Sequence, residues 1–311
     1  MSKQDSNRNV SVIIPTYNRC KIFYKVLKAL EAQTIDKYRF EVVVVDDGST
    51  DDTAQMVRYF AINSQLNIRY FFQENKKQGA ARNLGIEHAE MPILIFIGDD
   101  TIPDIRFIES HLNFHQKLEN PSKSSVIGYT TWHSEIKITP FMQYIGEFGH
   151  QFGYSLIDGH GPLRFNFYYT SNLLVPASLL QTLDHFFDED FDVYGWEDIE
   201  FGYRLENIGA KLFLNRDAVA YHYHPVSVVS FCRRQENVGR ASNIFIKKHP
   251  ELDWFLGDRA ILERNAKPYL KAVFYKNIVN LLDNLSIPLS HDIYRFILDT
   301  HYAKAATLSS F

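Results

Sequence analysis

The chain has 311 residues, of which 45% are hydrophobic and 23% charged, so it holds enough apolar side chains to bury a substantial core. Its formal net charge of -4 argues against nucleic acid as the main partner, because phosphate-binding surfaces are normally basic. Two cysteines are too few for a disulfide framework and indicate a reducing compartment. The sequence has no apolar run of about 18 residues and no apolar segment in the polar tail 1–9, so we expect a cytoplasmic protein.

Residues 10–100 alternate between short β-branched runs and helical patterns. We predict strands at 10–14, 40–45, 68–72 and 92–97, helices at 22–33 and 78–89, and a further helix that begins after Asp51 and Asp52. Strands that alternate with helices indicate parallel βαβ units, and ligands of such sheets bind beyond the carboxyl ends of the strands. Tyr17, Asp47 and Asp99 follow predicted strand ends, so we expect all three on one edge of the sheet.

Residues 101–225 are less regular, and the remainder of the chain has helical patterns. We predict a strand at 126–130, a strand, turn and strand at 167–175, a helix at 199–208 and two late strands at 211–214 and 218–223. A helical apolar stripe follows at Phe274, Ile278, Leu281, Leu282 and Leu285. Such a stripe packs on the rest of the chain, forms a homodimer or rests on a membrane surface. Contact with anionic lipid would be favoured by Lys267, Lys271 and Lys276.

An acidic turn, Gly98-Asp99-Asp100, follows the apolar run that ends at Ile97. Mg²⁺ and Mn²⁺ prefer oxygen ligands, and proteins usually hold them with one or two carboxylates together with substrate phosphates. A solvated turn explains the same residues, because Asp and Gly are common in turns. The motif alone therefore leaves a metal site and a plain turn equally open.

Two further acidic motifs also have a simple structural explanation. Asp47 follows a run of valines, where a carboxylate can accept hydrogen bonds from a base or a ribose, but a turn capped by Ser49 or Thr50 explains it as well. Glu197 and Asp198 stand at a predicted helix start, where a carboxylate stays ionised as a general base must. An acidic first helical turn is common, so the structural explanation is favoured when either motif is read alone.

Imidazole and guanidinium groups complete the candidate set. His222 and His224 alternate on a predicted strand, which places both rings on one face, and neutral imidazole is a common ligand of Mn²⁺-class ions. Arg82 lies near the start of the predicted helix 78–89, a position that can bind an anion. Structural histidines and a surface arginine are the alternatives.

Taken together, the order and spacing of these motifs resemble the family 2 inverting glycosyltransferases of the GT-A fold. The resemblance covers roughly residues 11–239. It is carried by the segments 12–19 (with Pro15-Thr16-Tyr17-Asn18-Arg19), 45–51, 81–85, 97–100, 196–200 and 222–224. One departure is Gly98, which stands where the DxD-type motif has its first Asp, a position that varies in the family.

The resemblance implies a nucleotide site at the first strand ends. Asp47 would contact the base, usually uracil, Arg82 would lie near the base or the diphosphate, and Asp99 would touch the ribose and the metal. The nucleobase pocket and its surroundings would be lined by Pro15, Tyr17, Asn18 and Arg19.

The resemblance also implies a metal and a base. Asp100 would be the principal metal carboxylate, Asp99 a second one, and His222 or His224 a late metal or diphosphate contact. Asp198 would be the catalytic base, with Glu197 beside it toward the acceptor.

The predicted fold class is therefore α/β: a GT-A fold with a mostly parallel central sheet flanked by helices and a C-terminal helical extension. We predict a polar tail at 1–9, a catalytic domain at 10–225 and a helical extension at 226–311. The catalytic domain would comprise a nucleotide-binding half at 10–100 and an acceptor-binding half at 101–225.

The predicted activity is metal-dependent, inverting transfer of a hexose or N-acetylhexosamine from a UDP-sugar to a hydroxyl, with Mn²⁺ or Mg²⁺ as cofactor. The acceptor would be a glycan or a lipid-linked glycan in polysaccharide biosynthesis, with peripheral contact at the inner face of the membrane. The segment 233–237 does not match the QxxRW box of processive synthases, so a non-processive enzyme is expected. The alternatives are a sugar-nucleotide nucleotidyltransferase, although 15–19 lacks the glycines of a triphosphate loop, and a non-catalytic sugar-binding protein.

Overall fold

A computed structural model of the chain describes residues 10–149, 151–159, 161–256 and 259–308, so the predicted polar tail 1–9 lies outside the described residues. The chain divides into two compact units. The first takes its described residues from Met1–His133, Asp158–Glu189 and Asp198–Tyr223, and the second from Ser134–Ile157, Asp190–Glu197 and His224–Phe311. The division predicted at residues 100 and 225 stays a prediction.

A mixed sheet of eight strands forms the centre of the first unit. The strands are β1 (Val10–Thr16), β2 (Phe40–Asp46), β3 (Asn67–Phe72), β4 (Ile93–Ile97), β5 (Thr101–Pro103), β6 (Ser124–Trp132), β7 (Asn172–Pro176) and β8 (Lys211–His222). Their order is β3-β2-β1-β4-β7-β6-β8-β5. The pairs β1–β2, β2–β3, β1–β4 and β6–β8 are parallel, and β4–β7, β6–β7 and β5–β8 are antiparallel. The predicted α/β class with a mostly parallel sheet is confirmed.

Helices follow most of the strands and make up most of the second unit. Those of the first unit are α1 (Cys20–Glu31), α2 (Thr53–Asn63), α3 (Lys77–His88), α4 (Phe107–His115) and α6 (Ala177–Leu180), and α7 (Glu197–Asn207) begins at the boundary between the units. Those of the second unit are α5 (Pro140–Glu147), α8 (Val228–Lys248), α9 (Asp253–Leu256), α10 (Arg259–Ala266), α11 (Tyr269–Asn284) and α12 (His291–Leu308).

The β-branched runs and helical stripes of residues 10–100 form the elements that their patterns predict. Every residue of β2 is buried, as its run of valines requires of a strand covered on both faces. Helix α1 buries one stripe, which consists of Phe23, Val26, Leu27 and Leu30. These residues join the apolar side chains of β1, β2 and β4 in one core, so burial of apolar area holds this half of the sheet together.

Two predictions in the less regular part of the chain are wrong. The predicted first strand of 167–175 is a short 3₁₀ turn, Phe165–Phe167, and only Asn172–Pro176 is extended. The two predicted late strands are one strand, β8. Its pairing with β6 passes from Gly128↔Asn215 to Tyr129↔Val219, so β8 bulges at residues 216–218, which overlap the gap between the two predicted strands.

A fully buried polar contact ties α4, β7 and β8 together. Asn172 donates through its amide nitrogen to the carbonyl of Ala218 (3.0 Å), so its Oδ1 is left as the acceptor facing Nε2 of His111 (2.7 Å). Nε2 of His111 therefore donates the proton in this hydrogen bond. Burial lowers the pKa of His111 to about 4. Gly128 of β6 lies directly against this contact, since a Cβ there would fall 2.3 Å from Oδ1 of Asn172 and 2.5 Å from the carbonyl oxygen of Ala218.

We expect Gly128→Ala to lower the free energy of unfolding by roughly 2–3 kcal/mol, because the added methyl group would overlap a backbone carbonyl and a buried amide that cannot move apart. Urea or thermal unfolding measures the change. Gly161→Ala is the matched control, since nothing lies within 4 Å of a Cβ at Gly161. Equal stability of the two variants would contradict this account of the packing at Gly128.

The second unit is built around α8, α11 and α12. Helix α8 begins with a capping box in which the side chains of Ser227 and Ser230 each accept from the other residue's backbone N–H. Gly239 lets α8 and α12 approach closely, because a Cβ there would lie 2.4 Å from the carbonyl oxygen of Tyr302. Among the described helices, none combines the length and apolar character needed to cross a membrane.

Candidate functional site

Thr16, the last residue of β1, joins the ends of two neighbouring strands. Its carbonyl accepts from the backbone N–H of Asp47, just after β2 (2.9 Å), and its hydroxyl donates to the carboxylate of Asp99, just after β4 (2.9 Å). The backbone N–H of Tyr17 also points at that carboxylate, at 3.4 Å. Because β1 runs parallel to both β2 and β4, these loops leave the same edge of the sheet. The structure thus confirms that Tyr17, Asp47 and Asp99 share one edge.

Asp100 lies between a guanidinium and an imidazole. Its Oδ2 accepts from Nη1 of Arg19 at 3.1 Å, and its Oδ1 is 3.6 Å from Nε2 of His222. The approach of His222 follows from the β5–β8 pairing, in which Thr101 is opposite His222, and the backbone N–H of Tyr223 donates to the carbonyl of Asp100 (2.7 Å). Two of the four predicted metal ligands are therefore brought face to face.

Asp99 is half-buried beside Asp100. Burial, reinforced by the neighbouring charge of Asp100, raises its pKa to about 7, against the opposing effects of Arg19 and of the hydroxyl of Thr16. Like charges this close disfavour simultaneous ionisation, so a positive charge at this edge of the sheet is required to keep both carboxylates charged. In the structure Arg19 contributes that charge through its contact with Asp100.

His224, a predicted metal ligand, and Arg82, a predicted nucleotide contact, lie in different surroundings. Strand β8 ends at His222, so His224 lies beyond it and the expected alternation of the two rings on one strand face is not formed. A role for His224 stays a prediction. Arg82 is buried in α3, where its guanidinium lies over the ring of Phe187 (5.4 Å) and donates to Oε1 of Gln78 (3.0 Å).

The carboxylate of Asp47 organises the loop between β3 and α3. It accepts from the backbone N–H groups of Lys76 (2.8 Å) and Lys77 (2.9 Å) and from the amide of Gln73 (2.7 Å). Lys77 has a left-handed backbone, with φ of +73°, at the first residue of α3. Asp47 is thus buried and anchored, and any base contact would use the hydrogen-bonding capacity that these three donors leave.

Asn18 connects the loop after β1 to the loop after β2. Its backbone is left-handed (φ +53°), which Asn tolerates better than most residues. Its Oδ1 accepts from the backbone N–H groups of Thr50 (2.8 Å) and Asp51 (3.2 Å), and its own N–H donates to Oγ of Ser49 (2.9 Å). The side chain therefore positions the loop, and a direct nucleotide contact by Asn18 stays a prediction.

Asn18→Gly should keep the left-handed backbone and remove the acceptor for two amides. We expect the amide protons of Thr50 and Asp51 to exchange with deuterium at least about tenfold faster in the variant, since each loses its hydrogen bond. The amide of Ser49 is the internal control, because it donates to Asp46 at 2.7 Å. Unchanged exchange at Thr50 and Asp51 would show that Asn18 does not hold this loop.

The acidic turn before α7 has a strained backbone. Gly195 and Trp196 both have positive φ, +118° and +70°, which is costly for a tryptophan. The indole N–H of Trp196 donates to the carbonyl of Val238 (2.9 Å), and the backbone N–H of Gly195 donates to Oε2 of Glu197 (3.1 Å). The buried carboxylate of Glu197 therefore faces back onto its own turn.

Asp198 differs from Glu197 in its burial and in the backbone N–H group that its carboxylate accepts from. It is the second residue of α7 and is half-buried, and its Oδ1 accepts from the backbone N–H of Ile199 (2.9 Å). The positive end of the helix dipole favours the ionised carboxylate at this position. A general base needs that ionised form, and the role of Asp198 as the base stays a prediction.

A separate cluster of side chains has the composition of a metal site. Within the part of the chain that the structure describes, His185, Asp188 and Glu200 have ligand atoms within 4.8 Å of one another. Glu200 also forms an ion pair with Arg204 (2.8 Å), and Arg204 donates to the carbonyls of His185 and Phe186. The guanidinium already supplies the positive charge, so this cluster is explained as a structural ion pair.

Three residues of this edge were not in the predicted set. Thr16 bridges two strands, Gln73 holds Asp47, and the hydroxyl of Tyr70 donates to the carboxylate of Asp46 at 2.8 Å. Thr16 stands between two residues of the predicted nucleotide pocket, which is the one sequence signal that points to it. Tyr70 and Gln73 come from β3 and its loop, where no motif marks them.

A mixed sheet with acidic turns after β2 and β4 and a histidine at the end of β8 is the arrangement expected of the GT-A fold that the sequence predicts. Residues 11–164 match the family model described as Glycosyl transferase family 2. The domain that these residues form therefore belongs to glycosyl transferase family 2, which confirms the resemblance in the motifs.

Curated relatives carry glycosyltransferase names. Validoxylamine A glucosyltransferase of Streptomyces hygroscopicus subsp. jinggangensis is 29% identical over an alignment of 292 residues, which covers 81% of this chain and 64% of that protein. A second relative, from Methanococcus voltae, is 27% identical over an alignment that covers 77% of this chain and 74% of the relative. Its name is dolichyl N-acetyl-alpha-D-glucosaminyl phosphate 3-beta-D-2,3-diacetamido-2,3-dideoxy-beta-D-glucuronosyltransferase. The chain spans about three fifths of the length of its glucosyltransferase relatives in Streptomyces hygroscopicus.

Solved structures share the fold. Mannosyltransferase PcManGT from Pyrobaculum calidifontis, in complex with GDP-Man and Mn2+, superposes with a TM-score of 0.68 at 19% identity, over 96% of this chain and 86% of that one. S. aureus TarS 1-349 in complex with UDP-GlcNAc gives a TM-score of 0.52 at 22% identity, over 75% of this chain and 66% of that one. At these identities the likeness shows a common fold.

Proposed function

We propose that the protein is a metal-dependent, inverting glycosyltransferase that moves a sugar from a nucleotide-diphospho-sugar to an acceptor hydroxyl. The observation that carries the proposal is the position of Asp100. It lies beyond the carboxyl end of β4, between Arg19 and His222, on the edge to which Tyr17 and Asp47 also belong. Carboxylate, imidazole and guanidinium groups together can accept a cation and a diphosphate at one place.

The donor is proposed to be a UDP-sugar. Tyr17 is 47% exposed just after β1, so its ring is available to a base, and Pro15 lies near the end of that strand. TarS binds UDP-GlcNAc and PcManGT binds GDP-Man, and both share the fold, which supports a nucleotide sugar as the donor class. Arg19 and Arg82 are the cationic side chains proposed for the diphosphate, with Asp47 at the base and Asp99 at the ribose.

The residues around Asp100 fit a divalent cation. Asp100 offers a carboxylate oxygen and His222 an imidazole nitrogen 3.6 Å from it, a donor set that suits Mn²⁺ or Mg²⁺. The raised pKa of Asp99 points the same way, because a nearby positive charge would favour ionisation of both carboxylates. A cation held there would stabilise the negative charge on the departing diphosphate.

Asp198 is proposed as the general base. Its carboxylate would take the proton of the acceptor hydroxyl as the oxygen attacks the anomeric carbon, the bond to the diphosphate breaks and the configuration inverts. Glu197 would hold the turn that presents Asp198, since its carboxylate accepts from Gly195. For the acceptor we propose a glycan or a lipid-linked glycan, as the name of the Methanococcus voltae relative describes for that enzyme.

Asp198→Asn should lower turnover of the donor by about 10²–10⁴-fold, because the amide cannot accept the proton. Affinity for the nucleotide sugar, measured by calorimetry in the presence of Mn²⁺, should stay close to that of the wild type. Turnover is followed as UDP released from a panel of UDP-sugars and acceptors. Asp36→Asn makes the same chemical change at an exposed loop position and should leave turnover unchanged. Normal turnover in Asp198→Asn would refute the assignment of the base, and release of pyrophosphate from UTP would indicate a nucleotidyltransferase.

Asp100→Asn should raise the Mn²⁺ concentration that gives half-maximal donor binding by about 10–100-fold, because the site loses its charged ligand. His222→Gln should have a smaller effect in the same direction. The measurement is thermal stabilisation by UDP across a series of Mn²⁺ concentrations, with EDTA as the metal-free reference. Asp217→Asn, at an exposed position in the β8 bulge, is the matched control. A wild-type Mn²⁺ dependence in Asp100→Asn would exclude this residue as the ligand.

A further inference from the structure

Helix α11 has an exposed apolar face. The helix packs through Ala272 and Val279, which are buried together with Asp283. The opposite side carries large apolar side chains at intervals of three and four residues, which place them on one face. We call this the outer face of α11, and it consists of Leu270, Phe274, Ile278, Leu281 and Leu285.

The outer face is a contiguous patch rather than scattered apolar residues. Leu270 is 84% exposed, Phe274 66% and Leu285 63%. The five side chains follow one another along the length of the helix, so they expose one continuous apolar surface to water. Patches of this kind mark contact with a partner or a membrane.

Charge distinguishes between those partners. Residues 259–285 contain five basic side chains against two acidic ones, in a chain whose formal charge is -4. One of the two acids, Asp283, is buried and accepts from the backbone N–H of Phe141 (2.8 Å). The basic side chains Arg264, Lys267 and Lys271 are exposed. The exposed charge of this stretch of the chain is therefore mainly positive, in contrast to the formal charge of the whole chain.

A second copy of the chain fits this surface poorly. In a two-fold dimer the same patch meets itself, and within 259–285 the second copy would offer these basic side chains only one exposed acid, Glu263. An anionic lipid surface satisfies both features at once, because it offers an apolar interior beneath a negatively charged layer.

We propose that the outer face of α11 docks the protein on an anionic lipid surface. The helix lies parallel to the membrane, with Leu270, Phe274 and Leu281 in the boundary between headgroups and acyl chains. Arg264, Lys267 and Lys271 then contact the lipid phosphates. This inference does not depend on the proposed reaction, since none of these residues belongs to the proposed site.

Vesicle co-sedimentation of the full chain tests the proposal. The vesicles contain phosphatidylcholine with either no anionic lipid or about one third phosphatidylglycerol. We expect binding to the anionic vesicles that weakens as salt is raised. Phe274→Ser with Leu281→Ser should reduce the partition coefficient by at least about tenfold, and Lys267→Glu with Lys271→Glu by a similar factor or more.

Matched controls make the same changes elsewhere. Tyr59→Ser with Ile62→Ser removes exposed apolar side chains from α2, and Lys117→Glu with Lys123→Glu reverses exposed charges outside the second unit. Both should bind vesicles like the wild type, and circular dichroism should show that every variant is folded. Absence of binding, equal binding to neutral vesicles, or a concentration-dependent dimer abolished by the outer-face variants would each overturn the proposal.

Discussion

The antiparallel pairing of β5 with β8 is the constraint on which the candidate metal site depends. Strand β5 has only three residues, Thr101–Pro103, yet its register sets Thr101 opposite His222. The carboxylate of Asp100 and the ring of His222 come from positions far apart in the chain, and this short ladder brings them within 3.6 Å. The backbone pairing of these two strands therefore places the two side chains next to each other.

The acidic residues of this edge divide into two groups by what they contact. Asp46 and Asp47 accept from their own turn, from Tyr70 of β3 and from the loop after β3, and their burial is balanced by those donors. Asp100 faces cationic groups, and Asp99 has a pKa raised by burial and by Asp100. The first group shapes the edge, and the second supplies the unbalanced negative charge that a cation would neutralise. Two motifs of adjacent acids that look alike in the sequence therefore differ in their surroundings.

Much of the sheet was predictable because its strands are continuous β-branched runs, as in 42–45, and because each acidic motif directly follows such a run. Contacts that depend on pairing between distant strands were not predictable. Thr16 bridges β1 to the loops after β2 and β4 only because those strands are neighbours. Likewise, the spacing of Phe274 and Leu281 predicts a helix with an apolar side, but it carries no information about what faces that side. The sequence pattern does not distinguish the bulge in β8 from a break between two strands, because polar residues interrupt the alternation in a bulge and in a break alike.

The neutral ring of His111 makes the stability of the first unit depend on pH on the acid side. Its Nε2 proton is held by Asn172, and no carboxylate is part of this contact, so a second proton on the ring would place an uncompensated charge in the core. The unfolded chain takes up that proton near the ordinary histidine pKa of 6.5, whereas the folded chain resists it until about pH 4. Between these values unfolding binds protons, and the free energy of unfolding falls as the solution becomes more acidic. One buried imidazole therefore makes the folded state of the sheet sensitive to mild acid.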